Sequence, residues 1–115
     1  MNDLIPEKYR DDEEIIRLTI SQIRKDFGTH FSEPHFSGAK DKLFDELTLH
    51  VAEALIAIRK SNPVLLKAVL YQVDVHENEI PATFQPQTIY ALSERIIERE
   101  FQKVLTKRFF SGKGE

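Results

Sequence analysis

The chain has 115 residues, 41% of them apolar and 30% charged, with a formal net charge of −3 and no cysteine. Roughly two thirds of the unfolded surface of such a chain can be buried in one domain, while two domains would leave neither a useful core. The balance excludes a disordered chain and any general attraction to nucleic acid or anionic lipid. The missing cysteine removes disulfides, thiolate metal sites and cysteine nucleophiles.

Residues 1–10 read as an N-terminal arm interrupted by Pro6, with Leu4, Ile5 and Tyr9 able to pack on a helix. The arm has no apolar stretch of the kind a signal peptide needs, which predicts a cytoplasmic protein. Asp11 then reads as an N-cap with Glu14 three residues on, and four successive acids suit the positive end of a helix dipole. Ile16, Ile20, Ile23 and Phe27 follow at 4-3-4 spacing, which predicts a helix near 11–27 with one seam facing a partner. Gly28 is placed to end it.

Residues 28–38 form a loop with two His-Phe steps, His30-Phe31 and His35-Phe36, and Ser37 is placed to cap the next helix. That helix, near 39–60, organises the chain. Leu43, Phe44, Leu47, Val51, Ala54, Leu55 and Ile58 share one stripe, and Leu49, Ala52 and Ile56 widen it, so several neighbours are needed to cover it. Asn62 and Pro63 read as N-cap and first-turn residue of a third helix near 63–76. Its second half carries a competing strand signal, because Val69, Tyr71, Val73 and Val75 alternate. The capped start and the lack of a partner strand favour helix, since the nearby candidate, residues 80–84, contains Pro81.

A second loop, 77–86, leads to a fourth helix near 87–110, whose apolar residues Ile89, Leu92, Ile96, Phe101, Val104 and Leu105 rotate around its axis. Residues 111–115 read as a frayed tail. The fold class expected is all-α, an antiparallel up-down-up-down four-helix bundle in a single domain, residues 11–110. No run approaches a membrane span of about 20 apolar residues.

That topology sets two poles. Residues 1–14 carry six acids and two bases, and residues 99–113 carry five bases and one acid, so these two ends should attract; the competing reading is that Lys103, Lys107, Arg108 and Lys113 dock an acidic partner or phosphates. The opposite pole should gather both long loops and with them His30, Phe31, His35, Phe36, Asp74, His76 and Glu77. Three histidines with carboxylates could hold a divalent ion, but a His-x4-His spacing in a loop is a weak ligand pattern. Di-iron chemistry needs two Glu-x-x-His units, and the chain has none; His50 reads instead as an edge residue of the apolar stripe, hydrogen-bonded to a neighbour. There is no nucleophile elbow, phosphate-cradling glycine loop or His-Glu-x-x-His, so nothing marks an enzyme and no cofactor is implied.

The basic end of the last helix mixes charge with aromatics, yet the net acidity argues against a nucleic-acid partner. Eight phenylalanines and three tyrosines are many for so short a chain. Phe109 and Phe110 are adjacent, so one helix face cannot bury both, and Phe31 and Phe36 fall in a loop; Phe84 is expected to fold back on the core. The function expected is therefore a protein-interaction module, adaptor or regulator, binding another protein or a second copy of itself. Lys107, Arg108, Phe109 and Phe110 are its candidate interface. The competing reading is a small-molecule or metal-binding bundle using the two-loop pole.

Overall fold

The computed structural model describes residues 12–110, and all their side chains except those of residues 40 and 108–110. The expected arm, Asp11, the tail and the candidate interface side chains of Arg108, Phe109 and Phe110 therefore lie outside the described residues. Every regular element described is helical: α1 (Glu13–Phe27), α2 (Leu43–Ser61), α3 (Pro63–Val73) and α4 (Pro86–Phe110). Short 3-10 turns occupy Gly28–His30, Lys40–Lys42 and Glu77–Glu79.

The four helices form a bundle. α4 packs against both α1 and α2, and α3 packs against α2 and α1. α1 and α4 run in opposite directions, because Asp26 meets Lys103 while Gln22, one turn earlier, meets Lys107. The described contacts of the basic end of α4 thus fall on the second half of α1, not on its acidic start.

The helix ends show how local chemistry sets the elements. The N-cap of α1 is Asp12, one residue later than Asp11: its Oδ1 accepts from the backbone N–H of Glu14 (3.0 Å) and Ile15 (3.3 Å). Gly28 ends the helix at φ 67°, a conformation that costs a side chain with a Cβ about 1 kcal/mol or more. α2 begins at Leu43 rather than 39. The preceding residues close a tighter turn, with Lys42 N–H donating to the Ala39 carbonyl at 3.0 Å. Ser37 does not cap α2; its Oγ accepts from Ala39 N–H, and its own N–H donates to Glu46 at 3.1 Å.

Asn62 is the single residue between α2 and α3, and its side chain accepts from Leu65 N–H at 3.1 Å. With Pro63 fixing the first turn, this cap is the whole joint. Asn62→Ala should cost about 1 kcal/mol, read as a lower urea midpoint at unchanged slope. A loss indistinguishable from zero would mean that packing alone sets the joint.

α3 is helical through Val73, so residues 69–73 do not form a strand, and it ends three residues before the expected 76. Asp74 adopts the left-handed conformation (φ 76°, ψ 41°). Its N–H donates to the Tyr71 carbonyl and that of Val75 to the Leu70 carbonyl, both at 3.0 Å. This is a Schellman closure with aspartate where glycine is usual, and the buried Val75 supplies its apolar contact.

The core follows the expected stripes. Ile16, Ile20, Ile23 and Phe27 of α1 are buried, as are Leu43, Phe44, Leu47, Val51, Ala54, Leu55 and Ile58 of α2. Ile89, Leu92, Ile96 and Phe101 of α4 join them in one cluster, Val104 is buried too, and Phe84 packs against the cluster from outside. The width of α2 is the exception. Ala52 is buried, but Leu49 and Ile56 remain 54% and 48% exposed, because neighbours cover only part of the helix surface. Among the described residues no helix is long and apolar enough to cross a membrane.

Candidate functional site

The charged centre of the bundle lies where α1, α3 and α4 meet. Lys103 Nζ donates to Asp26 Oδ2 at 2.6 Å and to the Gln72 carbonyl at 2.9 Å, and lies 3.4 Å from Glu100 Oε1. One ammonium therefore ties three helices. Glu100 is fully buried (0% exposed), and neither of its oxygens accepts a hydrogen bond among the described residues.

Burial is the main reason its carboxyl is pushed up to about 9, and the neighbouring Asp26 adds to the shift while Lys103 opposes it. At neutral pH Glu100 is thus held in its protonated form. Burial alone would lower Lys103, but Asp26 and Glu100 outweigh it and raise the ammonium above its ordinary value. One turn on, Lys107 donates to Gln22 Oε1 at 2.6 Å. Its ammonium is held below the ordinary value, first by desolvation and then by Lys25 and Lys103.

A glutamate in this position has a sequence signature that residue type alone conceals. Glu100 lies four residues after Ile96 and four before Val104, inside the apolar stripe of α4. Polar residues on such a stripe are buried with it; Thr19, Thr48 and Ser93 are buried the same way, but each hydroxyl donates to the carbonyl four residues earlier. Glu100 makes no such bond within its own helix.

The residues expected at the two-loop pole are divided. Phe31 is buried, edge-on to Phe27 (5.7 Å between centroids) and to His50 (5.0 Å). His50 Nε2 lies 2.8 Å from the Ser32 carbonyl, so that nitrogen carries the proton. This is the stripe-edge role expected of His50. Phe36 is half-buried and lines a cavity with Ile16, Ile20 and Leu43, beside the Arg24–Glu33 ion pair. Neither Phe31 nor Phe36 is the exposed aromatic that its place in a loop suggests: the loop lies on the core.

Asp74, His76 and Glu77 do come together, around a cavity of about 490 Å³ that also includes Tyr71, Leu70 and Ile80. His76 N–H donates to Glu79 Oε1 at 2.9 Å, and Glu79 in turn pairs with Arg95 at 2.8 Å, which fixes this loop on α4. The two loops line separate cavities, and His30 and His35 are exposed. Among the described residues no three His, Asp or Glu side chains gather closely enough to hold a metal ion.

The outer surface of α3 was not singled out by the periodicity, which reads the helix as apolar nearly all round. Leu66, Val69, Leu70 and Val73 are buried, while Val64 and Tyr71 stand 79% and 83% exposed. Ala68 between them is exposed too, and Lys67 is the only charged residue of the helix. Comparison of the chain with protein-family models, with curated proteins and with solved structures yields no match.

Proposed function

We propose that the protein is a small helical interaction module that associates with a second copy of itself through the outer face of α3. The observation that carries this reading is the exposed stripe Val64–Ala68–Tyr71, at i, i+4 and i+7, on a helix with a single charge. Leaving both ends of the stripe in water forgoes about 1.5–3 kcal/mol for a residue the size of valine or larger. An isolated exposed valine needs no explanation, but an aligned stripe on a nearly uncharged helix marks a contact surface.

The stripe is self-complementary. Two copies crossing antiparallel about Ala68 set the Val64 of each against the Tyr71 ring of the other, and the small central residue lets the helices approach. Tyrosine is among the residues that anchor interfaces, because it covers much area with few rotatable bonds.

Sedimentation equilibrium across a concentration series tests the reading. A monomer–dimer equilibrium is expected, weakened about tenfold or more by Tyr71→Ser or Val64→Ser, each worth at least the 1.4 kcal/mol that a factor of ten represents. Both positions are exposed in the monomer, so the variants should keep the wild-type melting temperature at low concentration. A wild type that stays monomeric throughout, or variants that dimerise equally well, would overturn self-association through this face.

A further inference from the structure

The basic side of α4 carries a feature that the interaction face does not use. Arg99, Lys103 and Lys107 recur every four residues, with Gln102 and Thr106 between them, and all five line one cavity of about 320 Å³. Val73 and Asp74, at the end of α3, close its other side. At about 30 Å³ of liquid volume per water, the space holds a small polyatomic ion with part of its hydration shell.

The charges here do not balance. Lys103 is committed to Asp26 and to the Gln72 carbonyl. Lys107 donates to the neutral Gln22, which offers an acceptor but no counter-charge. Arg99 Nε is buried and donates to no acceptor among the described residues. Against Arg99 and Lys107 the lining itself sets a single carboxylate, Asp74, while from outside the cavity Asp26, already bound to Lys103, also acts on Lys107, and Glu79, already paired with Arg95, acts on Arg99. Lys25 of α1 adds a further positive charge near Lys107, and together with Lys103 it depresses the Lys107 ammonium beyond the effect of burial. Glu100, beside Lys103, is held neutral and relieves none of this. Cations crowded on a concave surface, beside neutral donors and a donor without an acceptor, suit an anion with several oxygens.

We propose that this cavity is an oxyanion site of the phosphate class, in which Arg99 and Lys107 supply the charge and Thr106 Oγ1 and the Gln102 amide supply neutral donors. A group with two charges and three or four acceptor oxygens uses this donor set more fully than a carboxylate does. Lys103 acts from behind as a fixed positive charge already anchored to three helices. The same chemistry is offered by free phosphate and by a phosphomonoester, and the site rests on residues separate from those of the α3 stripe.

The test is a titration of the full chain with inorganic phosphate, followed by amide chemical shifts and by melting temperature, against sodium chloride at matched ionic strength. Saturable shifts confined to residues around 73–74 and 99–107 are expected, with a rise in melting temperature that chloride does not reproduce. Lys107→Gln, at an exposed position, should weaken phosphate binding about tenfold, as expected for loss of one charge-assisted contact; Thr106→Ala should weaken it less. A parallel titration with O-phosphoserine distinguishes the sources: tighter binding than phosphate assigns the site to an esterified phosphoryl group, weaker binding to the free ion. Shifts that track ionic strength alone, or equal phosphate affinity in Lys107→Gln, would overturn the proposal.

Discussion

Glu100→Gln is expected to flatten the pH dependence of stability between about pH 5 and pH 9 and to leave the variant more stable than wild type at the alkaline end. In the folded chain the Glu100 carboxyl is raised from an ordinary 4.5 to about 9. Below the lower value the carboxyl is protonated folded or unfolded, and folding costs nothing on its account. Between the two values the unfolded chain is ionised and the folded chain is not, so folding must take up a proton. The cost grows by about 1.4 kcal/mol per pH unit. Near neutrality it is a few kcal/mol, and it is complete once the pH passes the folded value. The full burial of the group leaves little water to screen this effect. Glutamine keeps the shape, carries no titrating proton and presents an N–H to Asp26. Thermal melts of both proteins at pH 5, 7 and 9 should therefore converge at the acid end and separate at the alkaline end. Parallel curves would mean that Glu100 ionises as an ordinary carboxyl and that the charged centre has no strain to release.

Much of this arrangement is written in residue spacing, and its omissions have definable causes. The stripe of α2 and the seam of α1 are legible because a period near 3.6 fixes which side chains share a face. The Asn62-Pro63 joint is legible because cap and first-turn residues act within one turn. What spacing cannot show is how much of a wide face the neighbours reach. Leu49 and Ile56 of α2 and Val64 and Tyr71 of α3 look like core by pattern, yet they face outward. The end of α3 was hidden for another reason: aspartate at Asp74 takes the left-handed role that glycine usually announces. Asp74, His76 and Glu77 are near one another in sequence and meet as expected, whereas His30, His35 and Phe36 depend on the path of a long loop. That path is decided by where Phe31 finds a pocket, which is a tertiary event.

Phe31→Ala tests that event and is expected to remove about 3–4 kcal/mol of stability, the loss typical of a buried phenylalanine truncated to alanine. The ring is buried and meets two others edge-on, Phe27 at 67° and His50 at 83° between planes. Its loss would leave a void beneath the loop and take away the wall that orients His50. What would remain to close the loop is polar and exposed: the hydrogen bond from His50 Nε2 to the Ser32 carbonyl at 2.8 Å, the Arg24–Glu33 ion pair and the bond from Ser37 N–H to Glu46. Each such exposed contact contributes only about 1 kcal/mol net or less, so they hold the connection less firmly than the buried ring does. Two consequences follow together. The urea midpoint should fall, and amides of residues 31–38 should lose more hydrogen-exchange protection than those of α2. The pair of readings matters, because a loop lying loosely over a finished core would lose its own protection and leave global unfolding untouched. A drop below about 1 kcal/mol would place Phe31 in that second class. The larger drop makes it a core residue delivered by a loop, holding the α1–α2 connection to the bundle in the way the helices hold one another.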